Sequence, residues 1–199
     1  NQYSLRGPIV KPGKYSATLY LVENGLTTKL SEKKSFKVNP IYESTLKGTT
    51  FEEYNKYMDD YFKVYGDIES LEYDFKTVEE KIKSLKIAID NTPRKAKELV
   101  LDFYNLKNSF LSMKIKVFGN ESKMEIGEKN PPSLINRIRV ASQGLSSSYG
   151  PTKLHLESLD MARQIYQELK SDFDVLIRKA VNTLENKIKT SGGPLIIED

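Results

Sequence analysis

A chain of 199 residues with 38% hydrophobic and 29% charged residues, no cysteine and a net charge of +4 suits one medium domain or two small ones. Its mixed charge must sit on solvated faces, and no apolar run approaches the ~20 residues of a membrane span. The lack of cysteine excludes disulfides and thiolate metal sites.

The charge is unevenly distributed. Residues 1–48 carry a net +5, residues 49–91 a net −5 and residues 92–118 a net +4. An acidic segment between two basic ones reads as internal complementarity. Nucleic-acid binders normally gather basic residues on one face, so no nucleic-acid partner is expected. There is no charged-then-apolar leader and no initiator Met, so Asn1 reads as a cut from a longer chain or a processed start.

Residues 1–40 read as β structure. Pro12-Gly13 signals a turn, and Tyr15, Ala17, Leu19 and Leu21 then alternate with Lys14, Ser16, Thr18 and Tyr20, as in a strand with one buried face. Asn24-Gly25 is a hairpin signal, because a type I′ turn needs positive φ at both central residues. The return strand runs from Leu26 to about Leu30. A third candidate spans Ser35–Val38 and stops at Asn39-Pro40, since proline cannot donate to a ladder. So few strands do not make a free-standing sandwich.

Residues 41–48 form a linker. Thr50 is a good N-cap and Glu53 completes a capping box. The chain is then organised around Phe51–Ile89. Tyr57, Tyr61, Val64, Ile68, Leu71, Phe75, Val78, Ile82, Leu85 and Ile89 recur at steps of four and three, the buried seam of one long helix. Gly66 interrupts its propensity, as tolerated strain or as the close approach of another backbone. Thr92-Pro93 is expected to cap and start a second helix with Leu99, Phe103, Leu106, Phe110, Met113 and Val117 inward. A polar loop follows over residues 120–132. Ser133 caps a short third helix with Leu134, Ile138, Ala141 and Leu145. Thr152 caps a fourth, running to about Thr190, with Leu159, Ala162, Tyr166, Leu169, Phe173, Leu176, Ala180, Leu184 and Ile188 on its seam. Residues 191–199 are a tail.

The expected fold class is α+β: a short antiparallel Ig-like β segment (1–40), then an antiparallel bundle of long helices (49–190). The first and fourth helices have nearly equal lengths, and the second and third add to the same. That predicts three rods, the middle one broken by the 119–132 loop; a compact four-helix bundle is the alternative.

Chemistry is hard to place. The acidic pairs Glu52/Glu53, Asp59/Asp60, Glu79/Glu80 and Asp172/Asp174 fall on solvated helix faces, not in the apolar pocket that raises one acid's pKa. His155 is the single histidine, too few for a multi-histidine metal site or a placed triad. No catalytic residue, metal site or cofactor is therefore assigned. Two features are candidate binding sites. Tyr54, Tyr57, Tyr61 and Tyr65 form a stripe whose rings could stack on sugar or a partner; the plainer reading is core with hydroxyls at the rim. Ser147, Ser148 and Thr152 lie in a hydroxyl-rich loop at a helix N-terminus able to hold an anion; the plainer reading is an interhelical turn.

Two stretches together resemble a known family. Pro12-Gly13-Lys14-Tyr15 with Leu19, Gly25 and Val38-Asn39-Pro40 resembles the strand pattern of the Ig-like segment near the C-terminus of bacterial sortilin-like propeller proteins with BNR repeats, often labelled glycosyl hydrolases. Arg137-Ile138, Gly144-Leu145, Ser147-Ser148 and Gly150-Pro151-Thr152 resemble the helical tail that follows. The resemblance implies an upstream propeller as partner, an extracytoplasmic location at the periplasm or cell surface, and no catalytic residue in this region. The expected function is a non-catalytic C-terminal structural or interaction module. A carbohydrate-binding or hydrolase-assisting module and a helical homodimerisation element are the alternatives.

Overall fold

The computed structural model describes residues 10, 12–39, 48–93, 96–147 and 149–194. The protein is α+β and 67% helical. It divides into two compact units, Asn1–Gly48 and Thr49–Asp199.

In the first unit, β1 (Gly13–Ala17) pairs antiparallel with β4 (Lys34–Val38), and β2 (Tyr20–Glu23) with β3 (Leu26–Lys29). Asn24 and Gly25 both take positive φ, at 50° and 78°, as the hairpin signal requires. The expected strand through Tyr15 and Leu21 is broken at Thr18–Leu19. Ala17 pairs with Lys34 and Tyr20 with Lys29, so the return side carries two extra residues. Such an insertion interrupts a ladder as a bulge. Ser31 Oγ accepts the Leu19 N–H there, at 3.0 Å. The face expected to be buried is open: Leu19 is 61% and Leu21 46% exposed. Tyr15 does stack on its cross-strand partner Phe36, ring centroids 6.0 Å apart.

The second unit starts with α1 (Phe51–Asp90). Thr50 N–H donates to Glu53 Oε2 at 2.8 Å and Glu53 N–H donates to Thr50 Oγ1 at 3.2 Å, the reciprocal bonds of a capping box. The Thr50 N–H and the Thr50 hydroxyl both donate to the Glu53 carboxylate and hold it below its usual range. Forty residues at 1.5 Å each make a rod of roughly 60 Å. It runs unbroken through Gly66, where an added Cβ would meet nothing within 4 Å, so the close backbone approach is not found there. All of the expected α1 seam is buried except half-buried Val78.

Three other expectations change. Thr92 does not cap the next helix. It is buried, and its hydroxyl donates back to the Ala88 carbonyl at 2.8 Å, the i−4 bond that Ser and Thr offer a helix end. Accordingly α2 (Lys97–Phe118) begins later, after an extended Ala96 without a side-chain cap. The loop after it contains one helical turn, α3 (Glu121–Glu125). Next come α4 (Leu134–Ser142), capped by Ser133, with a 3₁₀ turn at Gln143–Leu145.

The last correction is the largest. The fourth expected helix is α5 (Lys153–Asp172), a π turn at Phe173–Ile177, and α6 (Arg178–Thr190). Arg178 N–H reaches the Phe173 carbonyl, an i→i+5 bond that inserts one residue into the turn. The seam is displaced by one at Ile177 and Val181 and rejoins the expected positions at Leu184 and Ile188. Ile177 and Val181 are buried, whereas Leu176 is 52% exposed.

Ion pairs set the order of neighbours along α1. Asp60 meets Arg163, Asp74 meets Lys170 and Arg178, and Lys81 meets Glu185. Toward the other side, Tyr57 reaches Ala141 of α4, and Glu79 pairs with Lys114 of α2 at 2.7 Å. Thus α4 and α2 lie at different levels of α1. Phe75 meets Phe110, Phe118 and Phe173, the closest ring centroids 4.7 Å apart, so the three helical stretches share one core.

Candidate functional site

The two candidate features meet in space at the N-terminal end of α1. The tyrosine stripe faces the corner where α4 turns through Gly144–Thr152 into α5. Tyr54 donates its hydroxyl to the Leu145 carbonyl at 2.7 Å, and Tyr57 donates to the Ala141 carbonyl at 2.5 Å. Ala141 lies in the last turn of α4 and Leu145 in the 3₁₀ turn that follows it, where helix-end carbonyls have room for further donors. Tyr57 and Tyr61 are buried, Tyr54 is half-buried and Tyr65 is 37% exposed. Two of the four candidate rings are therefore core, and their faces are closed to a ligand.

Burial raises the hydroxyl pKa of Tyr54, Tyr57 and Tyr61. Tyr61 stacks on Tyr65, centroids 5.8 Å apart. The Glu69 carboxylate beside Tyr65 is the main cause that pushes its hydroxyl up to about 12.

The loop amides are largely used within the corner. Ser146 N–H donates to Gln143, Gly150 N–H to the Ser147 carbonyl at 3.2 Å, and Thr152 N–H to His155 Nδ1 at 3.1 Å. Thr49 N–H donates to the Tyr149 carbonyl at 3.0 Å, tying the residue ahead of α1 to the same loop. Ser147 is half-buried, Thr152 is exposed, and Ser148 lies outside the described residues. Three of the amides near Ser147 and Thr152 are thus occupied within the corner. His155, set aside as a metal or triad residue, is an acceptor in a helix cap.

Sequence reasoning missed two residues that shape this corner. A Cβ on Gly144 would sit 2.9 Å from Tyr57 Cε1 and Oη. Gly150 has φ +85°, and a Cβ there would lie 2.4 Å from the Thr49 side chain. Both glycines belong to the motif that carries the family resemblance. Each lets the corner close on the start of α1. Ile138 of the same motif is buried, and Arg137 Nε is buried without a hydrogen-bond acceptor among the described atoms.

Among the described residues no group of three or more His, Asp or Glu side chains could hold a metal ion, and no helix is long and apolar enough to cross a membrane. No protein-family model, curated protein or solved structure shows significant similarity to the chain.

Proposed function

We propose that the chain is a non-catalytic structural and interaction module, set C-terminal to a propeller in an exported sortilin-like protein. One observation carries the non-catalytic half of this reading. Five polar groups that could have served a ligand, the Tyr54 and Tyr57 hydroxyls and the Ser146, Gly150 and Thr152 amides, are bonded within the corner that clamps α1. The propeller partner, the extracytoplasmic location and a hydrolase parent rest on the motif resemblance alone.

The architecture that suits such a module is an antiparallel bundle of three rods: α1, then α2 with α4, then α5 with α6. The register of ion pairs along α1 favours it over a compact four-helix bundle. Residues 1–40 are read as the end of an Ig-like sheet. The open leucine face of β2 and β3 supports this, because a two-stranded ribbon alone is marginal in water.

A carbohydrate-binding reading keeps Tyr65 and also Tyr73, which is 70% exposed on α1. A glycan-array screen of the chain with Tyr65→Ala and Tyr73→Ala controls separates the two. The structural reading expects no glycan signal. A signal that both variants abolish would replace it.

A further inference from the structure

Helix α2 carries two apolar stripes. Leu99, Phe103, Leu106, Phe110, Met113 and Val117 are buried. A second stripe of Leu101, Tyr104, Asn108, Leu111 and Ile115 repeats the steps of three and four on the outer side, its four apolar members between 42% and 60% exposed. A solvated helix face is normally charged. Lys97 continues the stripe at its N-terminal end and Lys107 flanks it, but its central turns hold Asn105, Asn108 and Ser112, the low-charge setting typical of the centre of an interface.

We propose that this stripe is where a second copy of the chain docks, α2 against α2, antiparallel about a two-fold axis at Asn108. The charges favour that occupant. Glu98 and Lys116 are both exposed and stand 18 residues apart. At 3.6 residues per turn this spacing puts them on the same flank of the stripe. Antiparallel pairing about Asn108 brings Glu98 of each copy within two residues, about 3 Å along the axis, of the level of Lys116 of the other, within reach of two symmetric ion pairs. Parallel pairing would set like against like. Lys116 has no ion-pair partner among the described residues, while Glu98 otherwise feels Lys187.

The apolar members are self-complementary in the same register. Leu101 faces Ile115, and Tyr104 comes within one residue of the level of Leu111, each contact occurring twice, as an isologous interface requires. Asn108 meets its own symmetry mate at the centre, where a buried polar pair fixes register. Lys107, on the other flank near the axis, also meets its mate, and its long stem lets the ammonium reach water. This inference stands whether or not the propeller context holds.

The test is the mass of the full chain by sedimentation equilibrium from micromolar to millimolar concentration. The expected result is a rise from 22.8 kDa toward twice that mass. Glu98→Lys and Lys116→Glu should each weaken association about tenfold, and the double exchange should restore it. Lys107→Ala should tighten it, and Leu111→Lys should abolish it with helical circular dichroism unchanged. A monomer at every concentration would overturn the proposal, including one whose stripe is covered by its own tail or by another protein. So would a dimer indifferent to Leu111→Lys, or a double exchange that restores nothing.

Discussion

The same substitution at two glycines should move stability in opposite directions. At Gly66 of α1 an added Cβ meets nothing within 4 Å, and the backbone is already helical. Alanine there should stabilise by about 0.5–1 kcal/mol, through the lower entropy of the unfolded chain and better helix propensity. At Gly144 φ is not left-handed, so the same entropic gain of about 0.4–1 kcal/mol is available. Against it stands a Cβ placed 2.9 Å from two atoms of the Tyr57 ring and 3.1 Å from His155 Nδ1. Neither neighbour can yield freely. Tyr57 is buried and bonded to Ala141, and His155 is bonded to Thr152. Overpacking of this kind costs about 1–3 kcal/mol, leaving a net loss of about 1–2 kcal/mol. For a chain this long a kcal/mol is worth about 2–4 °C in Tm. Thermal unfolding followed at 222 nm should therefore show Gly66→Ala above the wild type and Gly144→Ala about 2–8 °C below it. A Gly144→Ala protein as stable as the wild type would refute the close packing of Tyr57 on the corner.

Two further outcomes follow from the π turn and from Tyr65. Leu176→Asn should change stability by less than about 0.5 kcal/mol because the side chain is exposed. Ile177→Asn buries an unpaired amide and should unfold the protein or cost more than about 3 kcal/mol; a larger loss for Leu176→Asn than for Ile177→Asn in urea titrations would place the seam where the unshifted helix has it. The Tyr65 hydroxyl stands at about 12 in the folded chain against an ordinary 10.0. Across that window the unfolded chain has lost a proton that the folded chain keeps, so stability falls as pH rises. The fall should be shallower in Tyr65→Phe and in Glu69→Gln, compared by urea unfolding at pH values below and above 10.0; identical slopes would remove Glu69 as the cause of the shift.

Local signals in the sequence carried the long elements. The Thr50–Glu53 capping box, the Asn24-Gly25 turn and the α1 seam depend on neighbours within a few residues, and each forms as its chemistry dictates. The π turn was not legible in that way. A seam through Leu176 and Ala180 and one through Ile177 and Val181 are equally regular on paper, and packing against Phe75 and α2 decides between them. Thr92 looked like a cap because its sequence neighbours allow it, but its hydroxyl found the Ala88 carbonyl. For the site, the tyrosines were visible, but their burial was not: it depends on Gly144, some ninety residues on. The outer stripe of α2 was written at helical spacing, masked by the more apolar stripe beside it.

Solvent access to individual tyrosines tests the central claim most directly. Brief nitration of the native chain, with each site quantified by peptide mass spectrometry, compares rings within one molecule. The account predicts rapid modification of exposed Tyr73 and Tyr149, with Tyr57 and Tyr61 protected until the chain is unfolded. Nitration of Tyr57 and Tyr61 at the rate of Tyr73 would contradict it, returning the stripe to the surface as a place where a ligand could bind.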